Sequence, residues 1–348
     1  MSLRRVLIAF CMSTLPLCCT CGINFFGVPD MSATLVDATG YEIQTLPITF
    51  VASFASGNDV YLLHQSGNLW KYDDSNAADR PIYMGQPFEA WGRCLYVSRA
   101  GTIFASAVGR PLVRSTNSGR TYQTCLNIPV WRMDEDDEGS LYAGNYTKDG
   151  VHAAALHKST DGGASWNVVW QDDANDHIHT VRWDGRVKRL YMAFGDGPTR
   201  GQAVSEDRGA TWKILDSGPD QGHTDVAFCR DTIVWASDDQ SGRVESIDKL
   251  SGQTRLIDVS SQFMWFAVSD AQQVFIGTAV SRAGQHACLL GSRDQGQTWQ
   301  KVIESPEVAT KDYSDGMGCE SRLLSVNGWL YFSKVGKTIQ SYRVRAIQ

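Results

Sequence analysis

One eight-residue phrase occurs four times, and its spacing constrains the fold more than any other property of the chain. Ser159-Thr160-Asp161-Gly162-Gly163-Ala164-Ser165-Trp166 recurs as Ser205-Glu206-Asp207-Arg208-Gly209-Ala210-Thr211-Trp212 and as Ser292-Arg293-Asp294-Gln295-Gly296-Gln297-Thr298-Trp299. A degenerate copy, Ser115-Thr116-Asn117-Ser118-Gly119-Arg120-Thr121-Tyr122, precedes them. The polar residues Asn117, Asp161 and Asp207 are 44 and 46 residues apart, and Asp207 and Asp294 are separated by 87, about two periods. One unit has therefore lost its copy. A period of roughly 40–50 residues is the length of one four-stranded propeller blade.

The phrase also makes local sense. An Asx side chain accepts the backbone N–H groups of its own turn, and the Gly supplies the positive φ that the turn needs. The closing Trp spreads an apolar face over the neighbouring strands. The pattern Ser-x-Asp-x-Gly-x-Ser/Thr-Trp resembles the Asp-box, or bacterial neuraminidase repeat, of sialidase-like β-propellers. That resemblance implies a structural role for Asn117, Asp161, Trp166, Asp207, Trp212, Asp294 and Trp299, on the outer side of the ring and away from any site.

Seven hydrophobic pairs recur along the chain: Val60-Tyr61, Ile103-Phe104, Leu141-Tyr142, Leu190-Tyr191, Val234-Trp235, Phe275-Ile276 and Leu330-Tyr331. Their intervals of 38 to 55 residues predict an all-β propeller of seven four-stranded antiparallel blades over residues 33–348, with six blades as the alternative. The last unit has residues for only about three strands. The stretch from Ala33 to Thr45 reads as a lone strand and is expected to complete that blade, removing an open sheet edge. A Gly count of 32 and 11 Trp in 348 residues fit many short strands joined by tight turns. The net charge of −6 offers no basic stripe for nucleic acid. The acidic run Asp134 to Glu138 reads as a solvated turn before Gly139.

Arg4 and Arg5 followed by the apolar run Val6 to Leu17 read as a signal peptide over residues 1–21, with 22–32 as a linker. An exported protein is expected: periplasmic, extracellular or lipid-anchored, since Cys18, Cys19 and Cys21 stand where a lipoprotein carries its acylated cysteine. Five further cysteines lie beyond residue 21. Cys94 with Cys125 and Cys288 with Cys319 are candidate disulfides in an oxidising compartment, and Cys229 is left over; five small buried thiols are the alternative. A monomer is expected.

In a propeller, ligands sit on the axis, at the starts of the innermost strands. The corresponding segments here are Trp91-Gly92-Arg93, Trp131-Arg132, His177-Ile178-His179, His223-Thr224-Asp225, Met264-Trp265 and Glu320-Ser321-Arg322. Buried strands without a site carry Val, Ile or Leu at such places. Candidate ligand-binding residues are accordingly Arg93, Trp131, Arg132, Tyr146, His177, His179, His223, Asp225, Trp265 and Arg322. Alternate residues of a strand share a face, so His177 and His179, with His223 or Asp225, are candidate ligands for a divalent metal; hydrogen-bonded histidines at the channel mouth are the alternative, and no cofactor is otherwise expected. Asp196, in Gly195-Asp196-Gly197-Pro198-Thr199-Arg200, joins Asp225 and Glu320 as a candidate catalytic carboxylate.

From Tyr142 to Trp212 the chain also resembles a group of secreted Asp-box propellers, on Tyr142-Ala143-Gly144-Asn145-Tyr146, the box at 159–166, His177-Ile178-His179 and Gly195-Asp196-Gly197. That likeness implies a fold and a polar axial mouth, and no particular reaction. Sialidases clamp a carboxylate with three arginines, for which Arg93, Arg132 and Arg322 are candidates, with Glu320 beside the last. The early Arg-Ile-Pro phrase of those enzymes is missing; Arg80-Pro81-Ile82 and Arg110-Pro111-Leu112 put Arg directly against Pro. The functional expectation is therefore binding of a glycan or a peptide at the axial mouth, with Trp91, Trp131 and Trp265 stacking on sugar faces. A glycoside hydrolase at the same site and an envelope scaffold that uses the rim are the alternatives.

Overall fold

The computed structural model describes residues 40–75, 81–147, 152–218, 221–311 and 315–347. The stretches expected to be a signal peptide (1–21, with the candidate lipidation cysteines) and a linker (22–32), and residues 33–39 of the expected closing strand, lie outside the described residues. Strands are the only regular elements described, and they form seven antiparallel units of four. The innermost strands are Ala52–Ser56, Gly92–Val97, Val130–Glu135, Ile178–Asp184, His223–Phe228, Phe263–Ser269 and Gly316–Gly318. Each packs against the next, and the first packs against the last unit, so the units close into a ring. A single ladder pair, Ala279 with Gly316, links the sixth and seventh blades into one continuous sheet.

All seven hydrophobic pairs fall in the second strands of their blades, from Asp59–Leu63 to Leu330–Val335. These strands are covered on both faces by neighbouring blades, which is why they read as continuous apolar runs and not as alternation. The seventh blade holds Gly316–Gly318, Leu330–Val335 and Ile339–Ala346, and its fourth strand is Tyr41–Leu46 from the other end of the described chain. The register runs from Tyr41 opposite Ala346 to Leu46 opposite Ser341. Tyr41 and Ile43 are buried there, so the closing strand contributes core as well as backbone pairing.

The four repeated turns join the third and fourth strands of the second, third, fourth and sixth blades. In the third blade the Asp161 carboxylate accepts the N–H groups of Ala164 and Ser165 and the Ser165 hydroxyl, while the Ser159 hydroxyl accepts the Gly163 N–H. The Gly at the fifth position of each copy, Gly119, Gly163, Gly209 or Gly296, faces the preceding blade. A Cβ on Gly163 would stand 2.5 Å from the Phe104 ring, and one on Gly296 would stand 2.9 Å from Val234. The residue before it gives its carbonyl to that same blade: Tyr142 Oη donates to Arg208 O and Thr232 Oγ1 to Gln295 O. Each copy thus fastens its blade to the previous one. The fifth blade, between Arg243–Asp248 and Thr254–Asp258, closes instead with a turn capped by Asp248.

Two expectations are corrected here. All five cysteines are free thiols. Cys94 lies on the innermost and Cys125 on the outermost strand of one blade; three inter-strand spacings of about 4.8 Å put them beyond disulfide reach. Cys288 sits on the third strand of the sixth blade, whereas Cys319, in the seventh, accepts from the Ser53 hydroxyl. The acidic run is not a solvated turn either. Asp134, Glu135 and Asp136 are buried. Asp136 caps the turn through the N–H groups of Glu138 and Ser140, and Arg208 of the next blade pairs with Asp136, Asp137 and Glu138.

Candidate functional site

Five of the seven innermost strands carry one extra residue near their start, which breaks the ladder with the second strand. The shifts fall between Gly92 and Cys94, Val130 and Met133, Ile178 and Thr180, His223 and Asp225, and Met264 and Phe266. The bulged positions are therefore Arg93, Trp131-Arg132, His179, Thr224 and Trp265. Bulges re-aim side chains and free backbone groups from the ladder. Here the freed carbonyls of His179, Thr224 and Trp265 all accept from the guanidinium of Arg132. One arginine from the third blade so ties the fourth, fifth and sixth together across the axis.

Beneath it lies a buried ion network. Asp225 is fully enclosed; its Oδ1 accepts from Thr180 Oγ1 at 2.8 Å and Arg182 Nε at 3.0 Å, and its Oδ2 accepts from Arg182 Nη2 at 3.0 Å and the Ala267 N–H at 3.1 Å. Arg132 Nε adds a contact at 3.3 Å. Burial pushes this carboxyl up, but the guanidiniums of Arg132 and Arg182 outweigh it and hold the group below its ordinary value. With no route to solvent and its acceptors taken, Asp225 is a structural anchor and not a candidate acid or metal ligand. Asp134 repeats the motif two blades earlier: it accepts the N–H groups of Glu135 and Trp183 and pairs with Arg322 at 2.6 Å. Arg322 therefore faces a cavity of about 50 Å³ at the opposite ends of the strands, lined by Asp134, Arg182 and Phe228 among others. That space admits water and no larger ligand.

The three candidate arginines are thus divided. Arg132 is consumed by carbonyls and Asp225, and Arg322 by Asp134. Arg93 alone is presented at the mouth. Its guanidinium lies between two rings, 4.3 Å from the centroid of Trp131 and 4.4 Å from that of Tyr146, and donates to Tyr146 Oη at 3.2 Å. Among the described residues no carboxylate lies within ion-pair distance of it, and its Nε is buried without a hydrogen-bond partner. Trp131 is 6% exposed and also carries Arg132 at 4.3 Å. Its ring is not available to stack on a sugar, contrary to expectation. Trp265 packs over Gly316 and is half-buried, and Trp91, 41% exposed, is the most accessible tryptophan of the three.

Glu320 lies just past Gly316–Gly318. Its Oε1 accepts from Trp131 Nε1 at 3.4 Å, and its Oε2, 3.8 Å from Arg132 Nε, is buried with no hydrogen-bond partner among the described residues. Desolvation pushes this carboxyl up to about 7, against the pull of Arg132, Arg182 and Arg93.

His177 and His179 are each 1% exposed and stack with centroids 4.6 Å apart. Their Nε2 atoms are 2.6 Å apart, and Asp196 Oδ1 lies 3.3 Å from the first and 3.0 Å from the second. Asp196 reaches them because Gly195, at φ +75°, turns the chain back over His177 and donates its N–H to the His177 carbonyl at 3.0 Å. A Cβ on Gly195 would sit 1.8 Å from Asn175 Oδ1, so only glycine fits. His223 does not join them. Its ring is held by Gln202 at 2.8 Å and by Glu245 at 3.3 Å, and only its carbonyl reaches His179. Tyr146 closes the wall, its ring centroid 5.0 Å from His177. The spacing of residue types pointed to the histidines; the bulges that aim them left no trace in the periodicity.

No family model matches the sequence, and no curated protein matches it. Solved structures of similar fold include a chain of the mitotic checkpoint complex, 10% identical over 92% of this chain and 98% of that one, with a TM-score of 0.60. YCF48 bound to D1 peptide is 12% identical over 91% of this chain and the whole of that one, at a TM-score of 0.54. A puromycin-hydrolysing peptidase of Mycobacterium tuberculosis is 11% identical over 80% of this chain and 54% of that one, at 0.56. At such identities the likeness establishes the β-propeller fold.

Proposed function

We propose that this chain is an exported binding protein whose axial mouth takes a peptide through a carboxylate group. The observation that carries the reading is Arg93, a guanidinium held between Trp131 and Tyr146 with no carboxylate of the described residues within ion-pair distance. A planar fork fixed in this way loses little entropy on engaging a carboxylate bidentately. The covered ring of Trp131 argues against a sugar-stacking platform, and the enclosed Asp225 removes one of the carboxylates that a glycosidase needs. A propeller of the same fold is described as bound to a peptide, so the architecture is compatible with such a ligand. Export rests on the basic and apolar pattern of residues 1–21.

Selection from a displayed random-peptide library against residues 22–348, run beside a glycan array, tests this reading. Peptides bearing acidic side chains or a free C-terminus are expected, and Arg93→Ala is expected to weaken them at least tenfold. Binding confined to glycans, or peptide binding unchanged in Arg93→Ala, refutes it.

A further inference from the structure

We propose that His177, His179 and Asp196 form a site for one divalent transition-metal ion at the axial mouth. Their ligand atoms form a triangle with sides of 2.6, 3.0 and 3.3 Å. A single ion with bonds of about 2.0–2.2 Å reaches all three from above its plane.

The far sides of the two rings show why a cation belongs there. His177 Nδ1 faces the Asp176 carboxylate, and His179 Nδ1 lies 3.0 Å from the His223 carbonyl oxygen and 3.4 Å from the Asp238 carboxylate. Those partners are acceptors, so each Nδ1 carries the hydrogen. In the neutral rings both Nε2 atoms then hold lone pairs, pointed at each other and at a carboxylate oxygen. Three lone pairs converging within 3.3 Å repel unless a positive charge sits among them. A proton bridges one pair of these atoms, whereas a metal ion serves all three. A carboxylate or carbonyl behind each histidine is also how metal-binding imidazoles are oriented.

The surroundings complete the site. Both rings are buried and rigid, while Asp196 is 43% exposed on its side chain, so the ion meets protein below and the mouth above. Three protein ligands leave coordination positions open for water or for a donor from a bound molecule. Two imidazoles and one carboxylate select zinc, iron(II) or a neighbouring ion over calcium and magnesium, which prefer oxygen ligands. This inference stands apart from the peptide reading, because the site is defined without any ligand.

The test uses tag-free protein stripped with a chelator and titrated with Zn²⁺ by calorimetry, with Co²⁺ absorption reporting the ligand geometry. One equivalent is expected to bind, with Mg²⁺ and Ca²⁺ at least 100-fold weaker. His177→Ala and His179→Ala are expected to lose at least 100-fold in affinity. Asp196→Asn, on an exposed loop where folding is undisturbed, is expected to lose at least tenfold and to change the Co²⁺ spectrum. Less than stoichiometric binding by the wild type, or binding unchanged in Asp196→Asn, overturns the proposal.

Discussion

Replacing Glu320 with Gln removes a carboxyl that burial keeps protonated up to about pH 7. The effect on stability has a definite sign. In the unfolded chain this group gives up its proton near its ordinary value of 4.5, whereas in the folded protein it keeps it to about 7. Between those values the folded state binds the extra proton, so the group's contribution to stability is fully present below 4.5 and is lost as the pH rises through 7. At about 1.4 kcal/mol per pH unit, the whole window is worth roughly 3 kcal/mol. Gln matches the shape of the acid and does not titrate. Urea denaturation of both proteins at pH 5, 6, 7 and 8 reads the difference directly. The stability of Glu320→Gln relative to wild type is expected to rise by about 2–3 kcal/mol from pH 5 to pH 8. A gap that stays constant refutes the reasoning. A gap that moves the other way means that Arg132 and Arg93 dominate over burial and hold Glu320 ionised.

Three further outcomes are expected. Asp225→Asn strips the charge from a carboxylate that serves Arg132 and Arg182 without solvent, and a loss of about 3–5 kcal/mol in chemical denaturation is expected; a loss under 1 kcal/mol would mean that the network is dispensable. Gly163→Ala, at φ +80° with a Cβ 2.5 Å from the Phe104 ring, is expected to lower the melting temperature well beyond Gly162→Ala, where φ is +68° but the space is open; equal effects would deny the contact between blades. Truncation to residue 47 removes the closing strand Tyr41–Leu46 and is expected to abolish cooperative unfolding, whereas an unchanged calorimetric transition would contradict closure by that strand.

How much of this was legible in the sequence follows from the range of the interactions involved. The repeated turns are local: Asp161 bonds residues three and four positions ahead, so their chemistry shows in eight letters and their spacing counts blades. The seven hydrophobic pairs are equally plain, because second strands are buried on both faces. The closing strand emerged by elimination from an incomplete last unit. The arrangement at the axis is different in kind. Arg132 finds its partners 47, 92 and 133 residues away, and one-residue bulges decide which side chains look inward. Hence His223, placed with His177 and His179 by residue type, turns to Gln202 and Glu245, while Asp196 takes the third place. Arg93, Arg132 and Arg322 looked equivalent in sequence, and only partners from distant blades set them apart.

The central claim is that the mouth around Arg93, Tyr146 and Asp196 is the working surface and that the repeated turns only hold the ring. Photo-crosslinking of a selected peptide, followed by mass-spectrometric mapping, tests it most directly. Crosslinks are predicted in segments 91–93, 144–146 and 195–200. Crosslinks concentrated in the turns at 159–166, 205–212 and 292–299 would contradict the account.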